Sequence, residues 1–302
     1  MACFKPIEAW RSRFQNSSGK CGITFRRDES NGQRVNLPCG QCIGCRLDRS
    51  KQWAVRIVHE ASLHDSNSFI TLTYNDENLP ADGGLRKKHF QDFIKRLRKK
   101  LHPKKIRYYM CGEYGDNFGR PHYHAIIFGY GFPDKKLWQT RRENKFYRSE
   151  LLENLWPYGY SDISNVTFKS AAYVARYVMK KQTGEKAKEH YMKPDKQTGE
   201  LKSIQPEYNS MSLKPGIAYD WFKQFSGDVY PSDEIVINGK KLKTPRYYDK
   251  LLEKTDLSTF EDIKAKREKT AKKHWKNQTP ERLSVREKCA QAQTSSLKRE
   301  LT

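Results

Sequence analysis

β-branched and aromatic residues gather in short runs along the chain. FITLTYN (69–75), IRYYMCGEYG (106–115) and PHYHAIIFG (121–129) read as strands, the last two joined through GDNFGR as an antiparallel hairpin. The loop NDENLPADGG closes the first of them. From Leu85 to Leu101 the periodicity changes, and Phe90, Ile94, Leu97 and Leu101 recur at the spacing of one helical face. Residues 46–64 repeat that pattern, with Leu47, Trp53 or Ala54, Ile57 and Ala61 on one stripe. ELLENLW reads as a short helix, YSDISNVTF as a strand and SAAYVARYVMKK (170–181) as a helix. The order from residue 68 is strand, helix, strand, strand, helix, strand, helix. It predicts an α+β fold, a central and mostly antiparallel sheet with helices covering one side.

The flanking regions are less periodic. Residues 1–45 read as irregular structure with short strands, GITFRR among them, and 130–150 as a charged insertion. Residues 182–206, which contain KQTGE twice, read as polar loop. VINGKKL is a hairpin signal within 207–252, a segment expected to pack on the main body. Beyond residue 254 the charged, apolar-poor sequence predicts a frayed helix followed by disorder. The expected organisation is therefore a Cys-containing N-terminal segment and helix (1–64), a core (65–182), an extension (183–252) and a charged tail (253–302).

The 302 residues suffice for one large domain or two modest ones. Lys and Arg number 58 against 35 Asp and Glu, a formal net charge of +23. With a mean hydropathy of −0.93, no stretch approaches the roughly 18 apolar residues of a membrane span, and MACFKPIEAW is no signal peptide. Aromatic residues at 12% exclude a disordered basic chain as the whole answer. The expectation is a soluble intracellular protein whose partner is a polyanion, with no membrane association. Residues 86–107 hold eleven Lys or Arg against one Asp, and Arg86, Lys87, Lys88, Lys95, Arg96, Arg98 and Lys99 are the expected phosphate-facing cations.

Two clusters carry metal-binding chemistry. Cys39, Cys42 and Cys45 stand as CxxCxxC, with Gly40 and Gly44 letting the backbone wrap a cation. Upstream Cys3 or Cys21 can complete a tetrahedral Zn2+ site, and Cys3 is the assignment. Four thiolates leave no open position, so such a zinc is structural. An iron–sulfur cluster or metal-free thiols are the alternatives. His122 and His124, one residue apart on a strand, share a face with Cα atoms about 6.5–7 Å apart, a spacing that chelates one cation. Glu113 on the preceding strand can reach the same face and leave positions open for substrate oxygens. Tyr114, Tyr123 and Phe128 on this hairpin read as packing residues. Tyr173 and Tyr177 lie four apart on a helix. Alone they are an aromatic stripe. Beside a chelating pair, a basic wall and Lys180 they become candidate nucleophiles, though a hydroxyl with a pKa near 10 is weak without assistance.

FITLTYNDENLP (69–80), CGEYGDNFGRPHYHAIIFG (111–129) and AAYVARYVMKK (171–181) together resemble the three motifs of HUH endonucleases. More narrowly, they resemble the rolling-circle replication initiators of microviruses of the gokushovirus group. PCGQCIGCRLDRSKQWAVR and PSDEIVINGKKLKTPRYYDKL extend that likeness over most of the chain. The resemblance implies an RRM-like or ferredoxin-like nuclease domain. It implies Mg2+ or Mn2+ held by His122 and His124, with Glu113 as third ligand at a position of variable residue type. Tyr173 or Tyr177 would attack the origin phosphate, leaving a 5′-phosphotyrosine and a 3′-OH primer, and the other would cut the regenerated origin. Lys180 would sit near the phosphate. The implied partners are single-stranded or supercoiled phage DNA at the origin and, since no GxxxxGK[ST] occurs, a host helicase together with a host polymerase, in the bacterial cytoplasm. A non-catalytic basic single-stranded DNA-binding protein and a plasmid initiator or relaxase are the competing readings.

Overall fold

The computed structural model describes residues 3–17, 19, 21–115, 119–141, 144–176, 181, 185–195 and 198–296. The chain divides into two compact units, one of Met1–Arg49 with Phe260–Glu300 and one of Ser50–Thr259.

In the first unit, β1 (Ile7–Gln15), β2 (Cys21–Thr24) and β3 (Ser30–Leu37) form an antiparallel sheet in the order β2-β1-β3. The C-terminal region departs from the expected frayed helix and disorder. Leu257–Lys273 and Pro280–Ser296 are each helices of 17 residues. Their Lys, Glu and Ala content favours helix, and single apolar anchors, Ile263 and Leu283, are buried. The second of these helices is tied to the N-terminal segment by Lys5–Glu287 at 3.5 Å and by Arg286 over the Phe4 ring.

The second unit is built on one seven-stranded sheet. After α1 (Ile43–Ala61), which begins in the first unit, come β4 (Asn67–Tyr74), α2 (Lys87–Leu101), β5 (Arg107–Tyr114) and β6 (Pro121–Phe128). There follow β7 (Lys136–Arg141), β8 (Asn144–Arg148), α3 (Glu150–Leu155), β9 (Gly159–Ser164) and α4 (Phe168–Arg176). The strand Tyr208–Met211 lies at one edge, and the order runs from it through β5, β6, β4, β9 and β8 to β7, every neighbour antiparallel. Within it, β4-α2-β5-β6-α3-β9 is a β-α-β-β-α-β connection. The stretch 130–150 is thus not a bare insertion: β7 and β8 pair as a hairpin that extends the sheet through Tyr147 opposite Ile163. The expected polar loop 182–206 holds a short helix, Glu185–His190, and a hairpin, Met192–Pro194 with Leu201–Ser203. VINGKKL forms its hairpin, turning at Asn238 and Gly239, both at positive φ as a tight N-G turn requires.

Because side chains alternate along each strand, the sheet has two unlike faces. On one, Ile70, Leu72, Tyr123, Ala125, Ile127 and Ile163 pack with Phe90, Phe93, Ile94 and Leu97 of α2 and with Leu152 and Leu155 of α3. Its centre is aromatic. The Trp156 ring lies 5.5 Å from Tyr74, 5.6 Å from Tyr123 and 5.0 Å from Tyr158, and its buried N–H is satisfied by the Thr73 carbonyl at 3.2 Å. The other face is not left bare, as a one-sided arrangement would have it. At one end it carries Tyr109, Ile126 and Phe69, which need cover, and α1 and α4 supply it. Trp53 of α1 meets Tyr109 at 4.9 Å, Tyr173 of α4 meets Phe69 at 6.3 Å, and Ser50 donates to the Ala172 carbonyl at 3.3 Å. The opposite end of this face, where Glu113, His122, Thr73 and Tyr160 stand in one row, has a different character.

Gly159 opens β9 at φ +148°, and a Cβ there would lie within 2.5 Å of the Thr73 carbonyl oxygen and closer still to the Asn75 nitrogen. Both are backbone atoms that cannot move aside. Gly159→Ala should therefore cost at least about 2 kcal/mol of unfolding free energy in urea. Gly227→Ala, in open space within the helix Tyr219–Val229, should be neutral or stabilise by up to about 1 kcal/mol. Equal effects at the two positions would contradict this account of the β4–β9 contact.

Candidate metal centre and nucleophile helix

The register of β5 and β6 sets Glu113 opposite His122 and Cys111 opposite His124, so the three polar side chains share one face. Both imidazole Nε2 atoms converge on one carboxylate oxygen of Glu113, at 2.7 Å from His122 and 3.0 Å from His124. Glu113 is 1% exposed and His124 is fully buried. Each ring is oriented from behind. His122 Nδ1 lies 3.0 Å from the Arg120 carbonyl, and His124 Nδ1 lies 3.0 Å from the Thr71 hydroxyl. A carbonyl can only accept, so His122 carries its proton on Nδ1 and, when neutral, points the Nε2 lone pair into the cluster. Burial would push the Glu113 carboxyl up, but the hydrogen bonds and charge of His122 and His124 hold it down at about 2.

These donors fit a divalent cation. One carboxylate oxygen and two imidazole nitrogens lie within 4.8 Å of one another. A lone pair aimed at an ionised carboxylate is repulsive unless a cation or proton stands between them. Three protein ligands also leave coordination positions for oxygen. The supports behind the ligands, Thr71 and the Arg120 carbonyl, are absent from the sequence reading. Thr71 and Thr73 are the polar alternates of FITLTY, a period-two signal that marks the strand's open face.

Tyr173 is beside this cluster. Its ring stands edge-on to His124 at 5.2 Å, and Phe69 stacks on the other part of that imidazole at 5.7 Å. The helix that carries it begins where it does because Thr167 and Ser170 cap each other. The Thr167 N–H donates to Ser170 Oγ at 2.8 Å and the Ser170 N–H to Thr167 Oγ1 at 3.1 Å. Tyr177 and Lys180 lie outside the described residues. Tyr114, Tyr123 and Phe128 are buried packing residues, as read from the sequence.

The basic segment is placed differently from its neighbourhood in sequence. Helix α2 packs on the sheet face opposite the histidines, so its cations do not line the metal cluster. Several are engaged. Arg86 pairs with Asp82 at 2.8 Å, Lys88 with Asp92 at 2.6 Å and Lys95 with Asp92 at 3.8 Å. Arg96 donates twice to the Leu155 carbonyl, at 3.1 and 3.0 Å, while Lys87 and Arg98 lie over the Tyr208 and Tyr108 rings. Lys99 is exposed near the end of the helix.

In the first unit the thiols of Cys3, Cys39, Cys42 and Cys45 lie within 4.8 Å of one another, and Cys21 is not among them. Backbone N–H groups point at the sulfurs: Cys39 to Cys3, Cys42 to Cys39 and Phe4 to Cys42, each at 3.3 Å. Burial pushes the Cys42 thiol up, but the N–H groups of Phe4 and Cys45 outweigh it and bring it down to about 7. Burial pushes Cys3 and Cys45 up. Gly40, at φ +76°, makes the turn between the first two ligands of the motif.

Among the described residues no helix is long and apolar enough to cross a membrane. Residues 67–182, which span the sheet core, the histidine hairpin and the tyrosine helix, match the family model for replication-associated proteins of the ORF2 type. The chain belongs to a family of phage replication-associated proteins. It is 32% identical over 275 residues to the replication-associated protein VP4 of Bdellovibrio phage phiMH2K, covering 88% of this chain and 82% of that protein. It is 31% identical over 296 residues to the replication-associated protein ORF2 of Spiroplasma virus 4, covering 90% and 88%. With ORF4 of Chlamydia phage 1, also named a replication-associated protein, it shares 34% identity over 226 residues, covering 72% and 54%. No solved structure matches the chain.

The depressed Glu113 carboxyl gives a stability signature. Its contribution is complete above the ordinary carboxylate value of 4.5 and fades as pH falls from there toward 2. Over that window urea unfolding of the native chain should lose stability on the order of 3 kcal/mol from this group. Glu113→Gln should flatten the slope between pH 4.5 and 2, and an unchanged slope would show that the carboxylate is not held by the two imidazoles.

Proposed function

We propose that this protein initiates rolling-circle replication of a phage genome by a metal-dependent, site-specific cut in single-stranded origin DNA, using tyrosine as the nucleophile. The observation that carries the reading is the packing of Tyr173 against His124 within the Glu113–His122–His124 cluster. The β-α-β-β-α-β connection with strands ordered β5-β6-β4-β9 supports it, since this is the RRM and ferredoxin-like arrangement expected of an HUH nuclease domain. Mg2+ or Mn2+ held by Glu113, His122 and His124 would supply polarisation of a phosphoryl oxygen at its open positions.

The protein's own groups do the rest. The Tyr173 or Tyr177 hydroxyl gives up its proton and its oxygen bonds to the scissile phosphorus. The bond from phosphorus to the 3′ oxygen breaks, and that oxygen takes a proton to become the 3′-OH primer. The 5′ phosphate remains ester-linked to tyrosine, so bond energy is retained for rejoining. The second tyrosine cuts the regenerated origin, and the released 3′-OH attacks the first phosphotyrosine to close the circle. Lys180 would stand by the phosphate charge. Unwinding and synthesis fall to a host helicase and polymerase in the bacterial cytoplasm. Incubation of the protein with labelled circular phage single strand and Mg2+ or Mn2+ should give a covalent adduct. Tyr173→Phe and Tyr177→Phe should each impair the cycle, and the double variant should form no adduct. His122→Ala should abolish adduct formation while leaving salt-sensitive binding within about twofold. An adduct from the double variant refutes the nucleophiles, and no adduct with any divalent cation leaves a non-catalytic single-stranded DNA-binding protein.

A separate structural Zn2+ is proposed at Cys3, Cys39, Cys42 and Cys45, where four converging thiols and donors to their sulfurs suit a closed tetrahedral site. The purified protein should contain one zinc per chain, lost together with thermal stability in Cys42→Ser but retained in His122→Ala and in Cys21→Ser. Iron with acid-labile sulfide, or unchanged zinc content in Cys42→Ser, would refute it.

A further inference from the structure

The metal cluster occupies only one end of a continuous row. Glu113 stands opposite His122, His122 opposite Thr73, and Thr73 opposite Tyr160, across β5, β6, β4 and β9. Directly opposed residues of antiparallel strands share a face, so Tyr160 is on the histidine side of the sheet. Two strand spacings separate it from His122, about 10 Å. The next row carries Asp162 on the same face, opposite Thr71, and Asp162 accepts from the Trp138 indole N–H at 3.0 Å.

Trp138 reaches this face through a defect in the edge hairpin. The β7–β8 register shifts between Leu137 and Gln139, and the bulge turns the indole toward β9. The Arg148 guanidinium stacks over it at 4.2 Å. These two aromatics differ from the others around them. Tyr74, Tyr123 and Trp156 are fully buried, whereas Tyr160 is 60% exposed and Trp138 48% exposed. Burial of apolar area does not explain a tyrosine and a tryptophan held open on ordered strands. The strands that carry the hairpin, KLWQTR and NKFYR, hold Lys136, Arg141, Lys145 and Arg148 and no acidic residue.

We propose that Tyr160 and Trp138 form a base-stacking platform for single-stranded DNA, on which the bases flanking the cut phosphate lie while Arg148 and Lys136 meet the backbone. The proposal rests on the nicking reading for what the strand is doing there, but not for the stacking itself. An exposed aromatic pair beside cations is the chemistry by which sequence-tolerant single-strand binders hold their ligand. It also accounts for how a strand reaches the cluster when the strongly basic helix α2 lies on the opposite face.

The test separates stacking from charge. Binding of fluorescein-labelled oligo(dT), and of an abasic deoxyribose-phosphate chain of the same length, is measured by fluorescence anisotropy. Tyr160→Ala and Trp138→Ala should each weaken oligo(dT) binding about tenfold or more and leave the affinity for the abasic chain unchanged. Tyr160→Phe should bind oligo(dT) like the native chain, and Lys136→Gln should weaken both ligands alike. Unchanged oligo(dT) binding in both alanine variants, or equal losses on the two ligands, would overturn the platform. The covalent-adduct assay with native protein reports separately on nicking. No adduct there, with the base-dependent loss intact, sinks the nicking reading and leaves the platform standing.

Discussion

The antiparallel register of β4, β5 and β6 is the constraint on which everything else here depends. Side chains alternate with period two, so a slip of one residue in β6 would turn His122 and His124 into the packed face and bring Tyr123 and Ala125 out. That exchange is strongly disfavoured because the packed face is specific in shape and in polarity. The Tyr123 hydroxyl donates to the Arg86 carbonyl and receives the Arg86 N–H, both at 2.9 Å, and it lies 2.8 Å from the Tyr74 hydroxyl. A tyrosine with three polar contacts inside an aromatic cluster cannot be replaced by an imidazole one residue away. The core thus fixes which side chains are presented on the far side of the sheet.

The far side carries an energetic conflict that only function explains. Glu113 and His124 are nearly or wholly buried, and a buried carboxylate is costly unless it is compensated. Two imidazoles supply that compensation, and each is held in turn by a group with no other reason to be there, the Thr71 hydroxyl and the Arg120 carbonyl. Arg120 itself is fastened by its donation to the Tyr74 carbonyl at 2.9 Å and by its pairing with Asp76. A sheet built only to be stable would put Val or Ile at these positions. Ligands and supports arranged in two layers are the mark of a preorganised cation site.

Much of this was legible from sequence, and the parts that were not share a cause. Strands, helix periods and the histidine pair are local patterns, and Glu113 followed from them once the hairpin was recognised, because pairing across a short connection is nearly local. Cys3 is a different case. It joins Cys39, Cys42 and Cys45 only through the fold of the N-terminal segment, so a spacing argument leaves Cys3 and Cys21 equivalent. The helices beyond residue 254 were hidden because each is held by one or two apolar side chains, too few to give a periodic signal. The second layer of helices was hidden for the opposite reason. Phe69, Tyr109 and Ile126 become a hydrophobic patch needing cover only when three strands bring them side by side.

The charge of the chain shows most clearly what sequence proximity cannot decide. The eleven cations of residues 86–107 precede the histidine hairpin directly in the chain, which suggests a substrate channel in one dimension. Helix α2 must nevertheless bury Phe90, Phe93, Ile94 and Leu97, and the matching apolar surface is the face that Tyr123, Ala125 and Ile127 line. Alternation then forces the histidines to the other side. The helix is therefore excluded from the metal cluster by the same periodicity that makes both elements stable. What the histidine face offers a polyanion instead is set by the edge hairpin β7–β8, whose cations are few but whose bulge brings an indole and a guanidinium into line with Tyr160. Net charge of +23 accounts for general attraction to nucleic acid. Where a strand can lie beside the cluster is decided by which residues the sheet's period leaves uncovered.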